Sequence, residues 1–129
     1  MQYTTAENRN KLTEKECSSR IHSVDDALYA IGGKWKLRII AALIDGPMRF
    51  NELQRKLNGI SARVLSHELK ELELNGFAER RVLNTTPATV EYRLTTYSET
   101  LYEVIEALRR WGQQHRQVIK QRAVRQVPV

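Results

Sequence analysis

"GISARVLSHELKELELNGF", residues 59–77, reads as one amphipathic helix between two punctuation marks. Ser61 suits an N-cap, because its short hydroxyl can accept from an orphan N–H of the first turn. Asn75-Gly76 suits a stop. At about 100° per residue, Ala62, Leu65, Leu69 and Leu72 fall within about 80° of one another and form an apolar stripe. Arg63, Ser66, His67 and Lys70 fall on the far side, with Glu68 and Glu71 on the flanks. Leu74 also falls on the far side, near the helix end, and is expected to pack on whatever follows. The stripe builds a core. The polar face needs a separate purpose.

The neighbouring segments set the context. Upstream, Asn51 reads as the cap of a brief helix that carries Leu53 and Leu57 inward and ends at Asn58-Gly59. A tight turn, "LNGIS", therefore joins two helices. Earlier still, Ser23 reads as an N-cap ahead of Val24, Ala27, Leu28 and Ile31, and Gly32-Gly33 as a stop. A further helix is expected from about Lys34 to Ile44, with Trp35, Ile39 and Leu43 on one face. Asp45-Gly46-Pro47 ends it, and Met48-Arg49-Phe50 is a short extended piece. Downstream, residues 77–83 and 89–95 read as two strands around a tip at 84–88. In the second, Val90, Tyr92 and Leu94 alternate with Glu91 and Arg93, the period of a half-buried strand. Thr96 and Glu99 then have capping-box spacing. After them Leu101, Val104, Ile105, Leu108, Trp111, His115 and Ile119 keep helical spacing over more length than a small domain covers alone.

Helix, helix, short helix, helix, hairpin, long helix is the order of a helix-turn-helix with a wing. The fold class expected is α+β, mainly α, with a two-stranded wing and N- and C-terminal dimerisation helices. Residues 1–16 lack apolar periodicity and read as a mobile arm. Residues 17–98 form the DNA-binding domain, with a recognition helix at about 61–75 and a wing at about 78–95. Residues 99–129 form a C-terminal dimerisation helix and basic tail.

"IGGKWKLRII", "LIDGPMRFNEL", "GISARVLSHELKELELNGFAER" and "VEYRLT" together resemble the HxlR family of bacterial winged-helix transcriptional regulators, relatives of the MarR type. The resemblance covers roughly residues 17–112, in four segments that match in order. It implies a homodimer whose terminal helices build the interface and whose wings straddle a palindromic operator, and repression is the expected mode. It makes residues 61–74 the recognition helix and 84–89 the wing tip. In some members a cysteine, commonly followed by proline, senses oxidants or electrophiles. Cys17 stands at that position, with Ser18 in place of the proline.

Each functional side chain also has a plainer reading. Arg63, His67 and Lys70 read alone as a solvated helix face; the short helix before them and the basic wing after them favour DNA contact. Ser61, Ala62 and Arg63 open the helix, where base-edge contacts concentrate. Arg63 is the first candidate for base reading, because its fork can pair with guanine. Ser66, His67 and Lys70 lie further along, at base-edge or phosphate distance. Lys36, Arg49, Arg80, Arg81, Thr85 and Thr86 are candidate wing and backbone contacts; taken singly, each is a generic surface group. Leu101, Val104, Ile105, Leu108 and Trp111 are assigned to the dimer interface. Cys17 reads either as a small residue at the dimer seam or as a thiol switch, with Lys15 and Arg20 nearby to favour the thiolate.

Composition narrows the classes. The net charge of +6 on 129 residues favours a polyanionic partner. Double-stranded DNA fits better than single strands, because aromatic residues are 7% and scattered. The longest aliphatic run, Ile39–Ile44, is too short for a bilayer, and the polar N-terminus has no apolar signal region. A single cysteine suits a reducing cytoplasm. His22, His67 and His115 lack metal-ligand spacing, so no metal and no cofactor are expected. Ser66 and His67 diverge around the helix and cannot form a nucleophile-base pair, so no catalytic residues are assigned. The competing class is a winged-helix protein-interaction module without DNA readout.

Overall fold

The computed structural model describes residues 13–126. The chain divides into two units, Met1–Lys34 and Trp35–Val129. The first holds one helix, α1 (Glu14–Ile31). Its start is fixed by a capping box: the Thr13 hydroxyl accepts from the Glu16 N–H at 3.1 Å, and the Glu16 carboxylate accepts from the Thr13 N–H at 3.0 Å. Its end is fixed at Gly32, whose N–H donates to the Leu28 carbonyl at 2.7 Å. A Cβ at Gly32 would lie 2.2 Å from that oxygen, which no side chain tolerates without a backbone shift. The expected start at Ser23 is therefore corrected. Ser23 lies inside α1, and residues 13–16 of the expected arm cap or form the helix; the rest of the arm, 1–12, lies outside the described residues. Ile21, Val24 and Leu28 form an exposed stripe along α1.

The second unit begins with α2 (Lys36–Leu43), which buries Ile39, Ile40 and Leu43. Strand β1 (Met48–Arg49) and helix α3 (Phe50–Lys56) follow. The cap of α3 is Arg49 rather than the expected Asn51; its N–H donates to Glu52 Oε1 at 3.3 Å. Between α3 and the next helix, Gly59 has φ +95°, a left-handed conformation that favours glycine. That residue lets the chain turn within a few positions from one helix to the next.

Helix α4 (Ala62–Leu74) is the element expected from the opening stretch. Ser61 Oγ accepts from the Val64 N–H at 3.1 Å, and Asn75 ends the helix. Leu65, Leu69 and Leu72 are buried, and with Ile39, Ile40 and Leu53 they form the centre of the core. Ala62, assigned to the same stripe, is exposed because it lies in the first turn, beyond the edge of that core. Ser61→Ala is expected to cost about 1 kcal/mol of stability, the usual worth of an N-cap. A urea denaturation curve with an unchanged midpoint would contradict that.

Strands β2 (Ala78–Leu83) and β3 (Thr89–Leu94) form the wing, paired from Ala78↔Leu94 to Leu83↔Thr89. The sheet has three antiparallel strands in the order β1-β3-β2, not two. Met48 and Arg49 pair with Tyr92 and Glu91. The short extended piece expected at Met48-Arg49-Phe50 is this third strand, formed by its first two residues. It makes β3 central at Glu91 and Tyr92, and all six β3 residues are half-buried instead of alternating. The β2–β3 turn contains a cis Thr86–Pro87 bond.

A 3-10 turn, Tyr97–Leu101, leads into α5 (Tyr102–Gln126). Thr96 holds the N-cap position, as expected, but makes no side-chain cap; the hydroxyl that bonds this turn is that of Thr95. The Ser98 N–H donates to Thr95 Oγ1 at 3.3 Å, and Thr95 Oγ1 donates to the Gly76 carbonyl at 2.6 Å. Buried Ser98 donates its own hydroxyl to the Thr95 carbonyl at 2.5 Å. Tyr97 stacks on Phe77 with ring centroids 5.4 Å apart. Among the described residues, no helix is long and apolar enough to cross a membrane.

Candidate nucleic-acid interface

Core packing decides which way α4 points. With Leu65, Leu69 and Leu72 buried, Arg63, Ser66, His67 and Lys70 are all exposed, beside Ser61 and Ala62 in the first turn. One helix face therefore carries a guanidinium, an ammonium, an imidazole and a hydroxyl, the donor set that base edges and phosphates accept. The Ser61 hydroxyl uses an acceptor lone pair for the cap and keeps its proton.

One member of this face and one candidate from α2 are tied to other groups. His67 is 67% exposed, and its Nε2 lies 3.1 Å from Glu71 Oε1, one turn on. Lys36, expected as a backbone contact, is instead 12% exposed, with its Nζ 2.9 Å from both Glu68 Oε2 and Glu71 Oε2. That assignment is corrected: two carboxylates already hold the ammonium. Burial works against the Lys36 charge, but hydrogen bonds to Glu68 and Glu71, together with their charges, outweigh it and raise its pKa. The Lys36 hydrogen bond and charge hold the Glu71 carboxyl below its ordinary range. The raised lysine keeps its contribution until pH climbs through its elevated pKa. The depressed carboxylate keeps its own until pH falls through its lowered one. Lys36 and Glu71 thus both stay charged across the neutral range.

The wing is less uniformly available than its sequence suggests. Arg80 and Arg81 are exposed, and Arg81 sits opposite Glu91 in the ladder. Thr85 donates its only hydroxyl proton to the Pro87 carbonyl at 2.7 Å. Its 3.1 Å contact with Thr89 Oγ1 is then donated by Thr89. Thr85 therefore shapes the tip and has no proton left for a phosphate, which corrects its assignment. Thr86 is exposed at the tip, and Arg49 is exposed on β1, where it pairs with Glu91 of β3. Arg93 bridges to Glu79 across the two wing strands, at 2.9 Å through Nη2. Both side chains are well exposed, so Glu79→Gln is expected to change stability by less than about 1 kcal/mol. A larger drop in melting temperature than such a loss implies would mark the pair as a structural requirement of the wing.

Three apolar expectations change. Leu74 is 82% exposed, so the wing does not cover it. Leu101, assigned to the dimer interface, is buried within its own chain at the end of the 3-10 turn. Trp35 is only half-buried, although Ile39 and Leu43 on its face are core; the Arg38 guanidinium lies 4.3 Å from its ring centroid. The remaining α5 stripe is open: Val104, Leu108, Trp111 and Ile119 are exposed, and the Trp111 ring stacks on His115 at 4.7 Å. Ile105 is half-buried and lines a shallow groove of about 360 Å³ with Leu37, Ala41 and Leu108. Cys17 is exposed on α1. Among the described residues, no three His, Cys, Asp or Glu side chains stand close enough to hold a metal ion.

The sequence pattern missed the Lys36 cluster altogether. Its partners lie on a different helix, and no spacing rule connects them.

The chain is similar in sequence and fold to known proteins. The HxlR-like helix-turn-helix family matches residues 30–121. The HTH-type transcriptional regulator YybR of Bacillus subtilis is 39% identical over 97 residues, which span 75% of this chain and 78% of YybR. YodB, an HTH-type transcriptional regulator of the same organism, is 38% identical over 91 residues, 70% of this chain and 81% of YodB. Among solved structures, the reduced form of the redox regulator HypR aligns with a TM-score of 0.71 at 38% identity, covering 77% of this chain and 98% of HypR. Reduced YodB aligns with a TM-score of 0.64 at 35% identity, covering 80% and 93%.

Proposed function

Because the chain belongs to the HxlR-like helix-turn-helix family of transcriptional regulators, we propose that it binds a palindromic operator as a homodimer and responds to oxidants or electrophiles through Cys17. The outward face of α4 carries this reading. Its core side is closed by three leucines, so Arg63, Ser66, His67 and Lys70 are held where a major groove can receive them. Arg63 reads a base edge from the first turn, while Lys70 and the wing residues Arg80, Arg81 and Thr86 supply phosphate contacts. Such contacts release counterions, so affinity falls steeply with salt.

The dimer rests on two separate apolar stripes, Ile21-Val24-Leu28 on α1 and Val104-Leu108-Trp111-Ile119 on α5. Each is exposed within one chain, and a second copy can cover it. Twofold symmetry then places two copies of α4 about 34 Å apart, in successive major grooves.

Cys17 is exposed on α1, and the thiol reading draws on the relatives. HypR is a redox regulator with oxidised and reduced structures, and YodB has reduced and diamide-treated ones. With one cysteine per chain, the available products are a disulfide between subunits, a mixed disulfide with a small thiol, or a covalent adduct. Footprinting of the DNA beside its own gene, with and without diamide, tests the whole reading. Protection that diamide abolishes in the wild type, but not in Cys17→Ser, is the expected result. Equal sensitivity in Cys17→Ser would eliminate the thiol switch, and no protection at low salt would eliminate DNA binding.

One observation favours the competing class, a module that docks protein. Leu74 is an exposed leucine at the end of the proposed reading face. The Arg63 experiment below separates the two.

A further inference from the structure

We propose that Lys36 is a positioning residue for DNA readout: from α2 it clamps α4 through Glu68 and Glu71, and Glu71 in turn holds the His67 ring. This rests on the DNA-reading function of α4 proposed above. The geometry is a chain of three short contacts. Lys36 Nζ lies 2.9 Å from Glu68 Oε2 and 2.9 Å from Glu71 Oε2, and the other Glu71 oxygen, Oε1, lies 3.1 Å from His67 Nε2. Its inner end is shielded, with Lys36 12% and Glu68 17% exposed. Its outer end, His67, stands on the exposed face.

A phosphate-binding role for the cluster fails on charge. One ammonium between two carboxylates leaves it net negative, which repels a polyanion. What the cluster does supply is orientation. Glu68 and Glu71 are three residues apart, so their attachment to one point on α2 restrains rotation of α4 about its own axis. The reading side chains stand roughly 6 Å from that axis. A rotation of about 10° therefore moves them about 1 Å, enough to spoil a hydrogen bond whose tolerance is a few tenths of an ångström. The leucine stripe resists such a rotation less sharply, because apolar packing is non-directional.

Glu71 adds a chemical constraint. Nε2 is the His67 nitrogen turned to the Glu71 carboxylate, at 3.1 Å, so Nδ1 is the nitrogen left for DNA. The ring therefore contacts one base pair in a fixed orientation.

The test uses the full-length protein and two duplexes: one selected by the wild type from a random pool, and one unrelated. Glu71→Ala keeps the Lys36–Glu68 pair and severs the path to His67. It is expected to lower the ratio of selected to unrelated affinity at least about 5-fold, with discrimination lost at one base-pair position. His67→Ala should lose the same position, and the loss in the double variant should fall short of the sum of the two single losses, since contacts in one chain are not additive. Lys36→Met should lower the same ratio and leave the salt slope of log K unchanged. If that variant does not fold, Glu71→Ala decides alone.

Three results overturn the inference. One is a uniform gain on both duplexes in Glu71→Ala, which is mere removal of negative charge. Another is a salt slope smaller by about 1 in Lys36→Met, which is a phosphate contact. The third is strict additivity of Glu71→Ala and His67→Ala. Failure of the wild type to discriminate any duplex would instead sink DNA reading itself.

Discussion

Replacing Leu108 and Trp111 together by Glu is expected to turn the protein into a monomer and to weaken binding to its full operator by about 10²–10⁴-fold. The size of the effect follows from the architecture. Helix α5 has 25 residues, and its stripe of Val104, Leu108, Trp111 and Ile119 is exposed in one chain. Contiguous exposed apolar surface of this kind marks an interface. In a dimer, the first half-site bound holds the second α4 beside its own half-site at a high effective concentration; a monomer loses that advantage entirely. Trp111 is 56% exposed, so its replacement leaves the core of its own domain intact. Affinity for an isolated half-site should therefore hold while affinity for the full site collapses. Light scattering gives the mass, and gel shifts on full and half sites give the ratio. A variant that stays dimeric, or a monomer that keeps full-site affinity, would contradict the proposed assembly.

Arg63→Ala is the second large effect. Arg63 is exposed in the first turn of α4, outside the core. A bidentate arginine–guanine pair is worth about 1–3 kcal/mol of discrimination. A dimer makes the contact twice, so the loss on a palindrome is about 2–6 kcal/mol, or roughly 30-fold to 10⁴-fold. It should appear as relaxed preference at one symmetric pair of positions. Binding to unrelated DNA should weaken little, and the dimer should persist. A protein-docking module makes a different prediction, since Arg63→Ala would change no DNA affinity at all. An equal loss on selected and unrelated duplexes would assign Arg63 to phosphate.

Much of this site was legible in the sequence because its signals are local. The two faces of α4 follow from helical period alone, and Ser61 and Asn75 mark its ends with side chains that cap it within the same turn. Glycine and asparagine in "LNGIS" announce the turn before it. Signals too short or too distant were lost. Met48 and Arg49 read as extended, but their place in the sheet depends on the edge that β3 offers. The start of α1 depends on a Thr13–Glu16 capping box, which apolar periodicity does not register. Thr96 keeps the cap position, but the hydroxyl that bonds the turn is that of Thr95, which also bonds the Gly76 carbonyl. Lys36 looked like a surface cation, and only tertiary packing sets it between Glu68 and Glu71.

Selection of duplexes from a random pool by the wild-type protein, at low salt, tests the central claim most directly. The account predicts an enriched inverted repeat with half-site centres about 34 Å, or roughly 10 base pairs, apart. Its preferred bases should be lost at one symmetric position in Arg63→Ala. A pool that shows no enriched sequence, with equal affinity for every duplex, would contradict it.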